Sequence, residues 1–222
     1  MNRRKEKHAL IGQVVLNGYD LSYLESFKAL QSKYPDDEDI RITSFIWMAI
    51  IHDENGHLIK ALDIFYNLLR KEEFSSLQLQ NILMDTFKIL IKLDRKEEAI
   101  ELVEKYHVDE RIDPLSYVSP LLFWYVDELA PLELDLAKYD QLLDYAMDKL
   151  GYHSKMVDRK AKIREIHWIN HNTSMKYENV LTKVKGKAKE EQILGLREFV
   201  ATDPPSLYKK IANKKIETLS KL

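Results

Sequence analysis

The chain has 222 residues, of which 45% are apolar and 32% charged, and its formal net charge is -2. This balance supports a buried core under a charged surface and excludes global disorder. Cysteine is absent, which excludes disulfides, thiol chemistry and zinc sites built on several cysteines. Glycine and proline, six of each, are few for the many turns of an all-β protein.

The N-terminal segment begins with basic residues and then becomes apolar, as a signal peptide does. Its apolar stretch, residues 9–16, is interrupted by Gly12 and Gln13, and no cleavage site of small residues follows. No apolar run approaches the ~20 residues that cross a membrane. We therefore expect a cytoplasmic protein that does not contact membranes.

An Asn-Gly pair occurs at Asn17-Gly18 and again 38 positions later, at Asn55-Gly56. Between alternating apolar runs this pair predicts a β-hairpin, but the flanking residues here follow a helical period. A further shift of 38 reaches Leu93-Asp94. Since Asn and Gly tolerate the left-handed conformation that ends a helix, we interpret these sites as helix stops.

An amphipathic helix is predicted on each side of these turns. The preceding runs are residues 9–16, 42–51 and 82–93, and the third following helix begins with a predicted capping box, Asp94-x-x-Glu97. The following helices carry apolar residues at positions i, i+3, i+4 and i+7, which indicates one buried face. These residues are Leu21, Leu24, Phe27 and Leu30, then Leu58, Ala61, Leu62, Phe65, Leu68 and Leu69, then Ala99, Ile100, Leu102, Val103 and Tyr106.

This unit of helix, tight turn and helix resembles the tetratricopeptide repeat superfamily. That family has Ala early in the second helix and an aromatic residue four positions later, as at Ala61 and Phe65, whereas Ala99 is followed by Val103 and the first copy has Tyr23 in place of Ala. The period of 38 exceeds the family's 34 by about one helical turn. The resemblance covers residues 4–113 well and 114–150 weakly. It implies an all-α fold, a right-handed stack of antiparallel helix hairpins.

The rest of the chain is also predicted to be helical. Residues 114–150 are interpreted as two helices split near Pro131, the second with a stripe beginning at Leu132. Further helices are predicted near Ser154–Asn170, Ser174–Val184, Ala188–Ala201 and Pro204–Leu219, and we expect them to cap the stack. The predicted division is thus 1–150, the repeats, and 151–222, a C-terminal helical cap.

Charge differs sharply between these two predicted parts. Residues 151–222 contain 16 basic and 8 acidic residues, whereas residues 1–150 contain 18 basic and 28 acidic residues. Such asymmetry is typical of an interaction tail or of a tail that docks on its own acidic half.

Stacked helix hairpins form a concave surface lined by the first helix of each unit. The inward positions are fairly apolar here and include Asp53, which favours binding of an amphipathic helix or apolar peptide from another protein. In the alternative interpretation, the tail helices or a tighter superhelix bury this surface. The candidate partner-binding residues are Ile46, Ile50, Met84, Lys88, Ile91, Leu122 and Val126.

Two further patterns have both a functional and a structural interpretation. Lys183, Lys185, Lys187 and Lys189 could neutralise phosphates of a nucleic acid, although the pI of about 6.4 is low for such a binder and a solvated loop explains the same residues. His167 and His171 share a helix face at a spacing that can hold a metal, although neutral surface histidines are more common.

The remaining motifs favour no chemistry. The acidic run at residues 36–39 precedes an apolar helix and is interpreted as helix capping. No phosphate-binding loop, nucleophile elbow or supported carboxylate pair occurs, so we expect neither an enzyme nor a cofactor or metal site. The leading prediction is an adaptor, scaffold or regulator that binds another protein. The alternatives are a nucleic-acid-associated protein and a stand-alone peptide-sensing regulator, while the oligomeric state is not predicted.

Overall fold

The computed structural model describes residues 3–71, 74–106, 112–153 and 156–221. Within these ranges the chain is helical and contains no strand, which confirms the all-α class. It divides into two compact units, residues 1–112 and 113–222, so the predicted division after Leu150 falls inside the second unit. None of the described helices combines the length and apolarity needed to cross a membrane.

The first unit is a series of helices in which each helix packs against the next, and α3 also contacts α5. This order of contacts is compatible with a helical repeat. The helices are α1 (Arg3–Asn17), α2 (Tyr23–Lys33), α3 (Glu38–Glu54), α4 (Leu58–Lys71), α5 (Ser76–Lys92) and α6 (Lys96–Tyr106).

The turns that recur every 38 residues share one backbone conformation. Gly18, Gly56 and Asp94 have φ angles of 89°, 74° and 57°, in the left-handed region. In each turn the next N–H donates to a carbonyl five residues back, which is the bond of a Schellman helix stop. These bonds are Tyr19 to Val14 (3.1 Å), His57 to His52 (2.8 Å) and Arg95 to Leu90 (2.9 Å). The predicted helix stops are therefore confirmed.

The predicted capping box at Asp94 is wrong. Asp94 is the left-handed residue of the turn, and Arg95, the next residue, accepts the first bond of α6, from the N–H of Ala99 at 3.1 Å. The carboxylate of Asp94 instead forms an ion pair with Lys96 at 3.4 Å. Arg95 is thus the cap residue of α6. Glu97 is the second residue of the helix, one position before the third residue that a capping box requires.

The small and aromatic residues of the predicted helix faces lie in the core of the first unit. Ala61, Phe65, Ala99 and Val103 are completely buried, and so is Phe27 of α2. An alanine on such a face allows two helices to approach closely, and a large neighbour fills the remaining space. The prediction is confirmed for these residues, whereas Leu21, predicted on the same face as Phe27, lies before α2 and is 38% exposed.

The acidic run before α3 has two roles. Asp37 caps α3 by accepting a hydrogen bond from the N–H of Ile40 at 3.1 Å, which confirms the predicted capping. It also forms an ion pair with Arg3 at 3.1 Å, and Asp39 pairs with the buried Lys7. The run therefore ties α1 to the start of α3.

The second unit contains α7 (Pro114–Ser116), a π-helical turn (Tyr117–Leu122), α8 (Phe123–Glu128), a 3-10 turn (Ala137–Tyr139), α9 (Asp140–Leu150), α10 (Arg159–Val184), α11 (Lys189–Ala201) and α12 (Ser206–Lys221). The long helix α10 packs on the π-helical turn, α8, α9, α11 and α12. The C-terminal helices are thus integral to the second unit.

Three predicted boundaries in this unit are wrong. Residues 159–184 contain neither Gly nor Pro and form one helix, in which Thr173 bonds back to the carbonyl of Ile169 at 2.7 Å. The helix predicted from Leu132 begins at Asp140, and Leu132 is 41% exposed. The last helix begins at Ser206, after Pro205, whose carbonyl accepts bonds from the N–H groups of Tyr208 at 2.9 Å and Lys209 at 3.1 Å. The predicted start at Ser154 lies outside the described residues.

Candidate functional site

The strongest candidate site in the first unit is the face formed by α3 and α5, which we call the α3–α5 face. On α3, Ile46, Ile50 and Asp53 follow the spacing i, i+4 and i+7 and share one side of the helix. Each is half-buried, unlike the fully buried core residues Ala49 and Ile51 beside them. This side of α3 is therefore partly accessible to a partner.

The matching side of α5 carries Met84, Lys88 and Ile91, again at i, i+4 and i+7. All three are half-buried. Their neighbours Ile82, Leu83, Phe87, Ile89 and Leu90 are completely buried in the core. The predicted groove residues of α3 and α5 thus all lie between core and solvent, which leaves each of them partly accessible.

An ion pair joins the two helices at their C-terminal ends. The ammonium group of Lys92 lies 2.7 and 2.8 Å from the two carboxylate oxygens of Asp53. The side chain of Asp53 is only 18% exposed, whereas that of Lys92 is 49% exposed. This ion pair therefore holds Asp53, a predicted inward-facing residue of α3, close to the C-terminal end of α5.

Asp85 adds a charged group to this face that the sequence analysis missed. The pKa of its carboxyl group is raised to about 6, mainly by burial; the negative charge of Asp53 also raises this pKa, whereas Lys88 and Lys92 lower it. Ionisable groups with a strongly shifted pKa concentrate at functional sites. In the sequence, Asp85 precedes Lys88 by three residues and Lys92 by seven. This spacing places the three charges on one side of α5 and could have identified Asp85 as part of the site.

Two predicted groove residues do not belong to an accessible surface. Leu122 and Val126 are completely buried in the second unit. The kink at Ser119, where the backbone leaves the helical conformation before Pro120, shifts the helical phase that the repeat frame assumed. The candidate site therefore comprises only Ile46, Ile50, Met84, Lys88 and Ile91, together with Asp53, Asp85 and Lys92.

The four lysines predicted to contact phosphate, Lys183, Lys185, Lys187 and Lys189, are all exposed. Lys183 and Lys187 line a cleft of about 550 Å³ between α10 and α11. The opposite wall of this cleft carries Glu191 and Glu198, which oppose the approach of a polyanion. Phosphate binding by these lysines stays a prediction.

His167 is a core residue of the second unit. It is 7% exposed and its ring stacks on Phe123 with centroids 3.8 Å apart. Its Nδ1 atom lies 3.0 Å from the hydroxyl of Ser119, and burial, aided by His171, lowers its pKa to about 4. Among the described residues, no group of three or more His, Asp or Glu side chains is arranged to hold a metal ion. The contacts of His167 account for it as a packed structural histidine.

Comparison with protein-family models, curated proteins and solved structures finds no significant match for this chain. Any functional assignment therefore depends on the residues and geometry of the chain itself.

Proposed function

We propose that this chain is a non-enzymatic protein-interaction module, in which a right-handed tetratricopeptide-like stack of helix hairpins binds a helix or peptide of another protein. The α3–α5 face is the proposed floor of the groove. The module would act as an adaptor, a scaffold or a regulator.

The recurrence of one turn at 38-residue intervals is the observation that carries this proposal. Left-handed residues at Gly18, Gly56 and Asp94 end three helices in the same way, and each is followed by a helix with a buried alanine or aromatic face. A second link joins consecutive turns, because the amide of Asn55 donates to the carbonyl of Tyr19 at 2.9 Å. Repeated hairpins joined in this manner favour a stack, and a stack of helix hairpins generates a groove.

The chemistry of the α3–α5 face favours an amphipathic helix as the partner. Ile46, Ile50, Met84 and Ile91 offer half-buried apolar contacts, and methionine adapts its shape to different partners. The charged cluster around Asp53, at one end of the face, would fix the orientation of the bound helix. Apolar anchors flanked by charges are the usual mode of recognition when a helix binds in a groove.

The test is a pull-down followed by calorimetry with the purified partner. We expect Ile50→Glu combined with Met84→Glu to weaken binding at least about tenfold, because each carboxylate would be desolvated against an apolar partner. The control pair, Leu21→Glu with Ile59→Glu, changes exposed apolar residues outside the α3–α5 face and should bind as the wild type does.

Because Ile50 and Met84 are half-buried, their replacement can disturb the fold. Circular dichroism must therefore show native helix content, and Lys88→Ala, a milder change on the same face, should weaken binding in the same direction. Unchanged affinity of a folded Ile50→Glu, Met84→Glu variant would refute the proposed groove.

A further inference from the structure

The cleft between α10 and α11 has an apolar floor between two walls of opposite charge. Val180 and Val184 of α10 and Phe199 of α11 form part of the floor. The helices are closely packed beneath it, since a Cβ atom at Gly195 would lie 2.6 Å from a methyl group of Val184. The cleft volume of about 550 Å³ is large enough to receive side chains from a docking surface.

The two walls carry charges at the same interval. The α10 wall presents Lys176 and Lys183, and the α11 wall presents Glu191 and Glu198. Both intervals are seven residues, or about 10.5 Å along a helix. The four-residue connection between the helices makes them an antiparallel pair, so Lys183 lies across from Glu191 and Lys176 across from Glu198.

These charges are not neutralised by one another across the cleft. Glu191 pairs at 3.7 Å with Lys187, a residue of the connection between the helices, and within the part of the chain that the structure describes no ion pair joins Lys176 or Lys183 to Glu191 or Glu198. The α11 wall also carries Leu194, which is 57% exposed. The same surface therefore contains an apolar projection, an apolar cleft and two rows of opposite charge that, among the described residues, form no ion pair with each other.

A surface with these properties is complementary to itself. A two-fold axis parallel to the helices places α10 of one copy over α11 of the other, and this operation preserves position along the axis. Each lysine row then meets the glutamate row of the second copy in register. Leu194 of each copy enters the cleft of the other. A polyanion or an anionic amphiphile fits less well, because it would be repelled by Glu191 and Glu198.

We propose that the α10–α11 cleft is the interface of a homodimer with two-fold symmetry, in which Lys176 and Lys183 of each copy pair with Glu198 and Glu191 of the other. Opposite charges at fixed intervals along packed helices set partner choice and register in the same way as the flanking charges of coiled coils.

Sedimentation equilibrium on the full chain tests this interface. The wild type should approach twice the monomer mass of 26.2 kDa as its concentration rises. Reversing one row, by Lys176→Glu with Lys183→Glu or by Glu191→Lys with Glu198→Lys, makes both rows of a chain alike. Each variant alone should then show a dissociation constant raised at least about tenfold, because like charges face each other across the axis.

Charge complementation makes the test specific. An equimolar mixture of the two reversed variants should form a heterodimer, and a chain carrying all four substitutions should dimerise again. Lys214→Glu with Lys215→Glu changes the net charge by the same amount as the lysine reversal, at exposed positions of α12, and should leave dimerisation unchanged.

A wild type that stays monomeric overturns the proposal. This holds even if the cleft is then found to bind another protein or an amphiphile. Dimerisation that neither reversal weakens also overturns it, because the interface would then lie elsewhere. Since the substituted side chains are exposed, circular dichroism should show native helix content in every variant.

Discussion

Replacing Asp85 by asparagine should stabilise the first unit at neutral pH. The pKa of Asp85 rises from its ordinary value of 3.8 to about 6, mainly because burial disfavours the charged carboxylate. A pKa that is raised in the folded state means that the charged form costs stability above that pKa. Two pH units at ~1.4 kcal/mol each give a cost of up to about 3 kcal/mol, which Asp85→Asn removes.

The sign of this effect depends on pH. Between about pH 6 and 4 the folded wild type binds a proton that the unfolded chain does not, so its stability rises as the pH falls. The advantage of Asp85→Asn should therefore be largest above pH 6 and should disappear near pH 4. Hydrogen exchange of amides in α5, measured by mass spectrometry at about pH 7.5 and 4.5, reports the free energy of opening at both values.

Asp63→Asn is the matched control, since it removes the same charge from an exposed position on α4. It should change protection in α5 little at either pH. If Asp85→Asn leaves protection unchanged or reduced at about pH 7.5, or if its benefit persists undiminished at about pH 4.5, then burial does not govern the charge of Asp85 and this reasoning is wrong.

Two other predictions concern the second unit. Because burial lowers the pKa of His167 from 6.5 to about 4, the unfolded state binds more protons between these values, and stability should fall by up to about 3 kcal/mol as the pH drops through this window. An NMR titration of the His167 ring with a midpoint near 6.5 would contradict this. Gly195→Ala should cost about 1–3 kcal/mol in urea unfolding, because its Cβ atom would overlap Val184. Gly12→Ala, where nothing lies within 4 Å, should instead stabilise by about 0.5–1 kcal/mol, and equal effects of the two substitutions would refute the packing argument.

The helices of the first unit could be predicted well from the sequence because the residues that specify them are close together in the chain and recur periodically. An Asn-Gly pair has few conformational alternatives at a helix end, and a 3.6-residue apolar period with Ala61 and Ala99 specifies which face is buried. The site on α3 and α5 followed from the same periodicity. Asp85 was missed because its perturbation arises from burial and from neighbours on two helices, and single-sequence spacing reports only part of that environment.

The second unit was predicted less well because its helices do not repeat. Leu122 and Val126 were assigned by extending a 38-residue frame past Ser119, where the backbone leaves the helix. In α10, the predicted helices left a break at residues 171–173, where Asn172 and Thr173 are residues that favour caps and turns. Tertiary packing of a long helix overrides such weak local preferences.

The terminal helix α1 is attached in a different way from the helices that follow it. It buries Lys7 and Val14 and packs the half-buried Leu10 and Ile11 against the core, and it adds ion pairs with the acidic start of α3 and between Glu6 and Lys33 at 2.8 Å. Exposed ion pairs weaken in concentrated salt, while apolar packing does not. High ionic strength should therefore loosen this first helix more than the interior hairpins, which would expose part of the apolar surface of α2 and α3 that it covers.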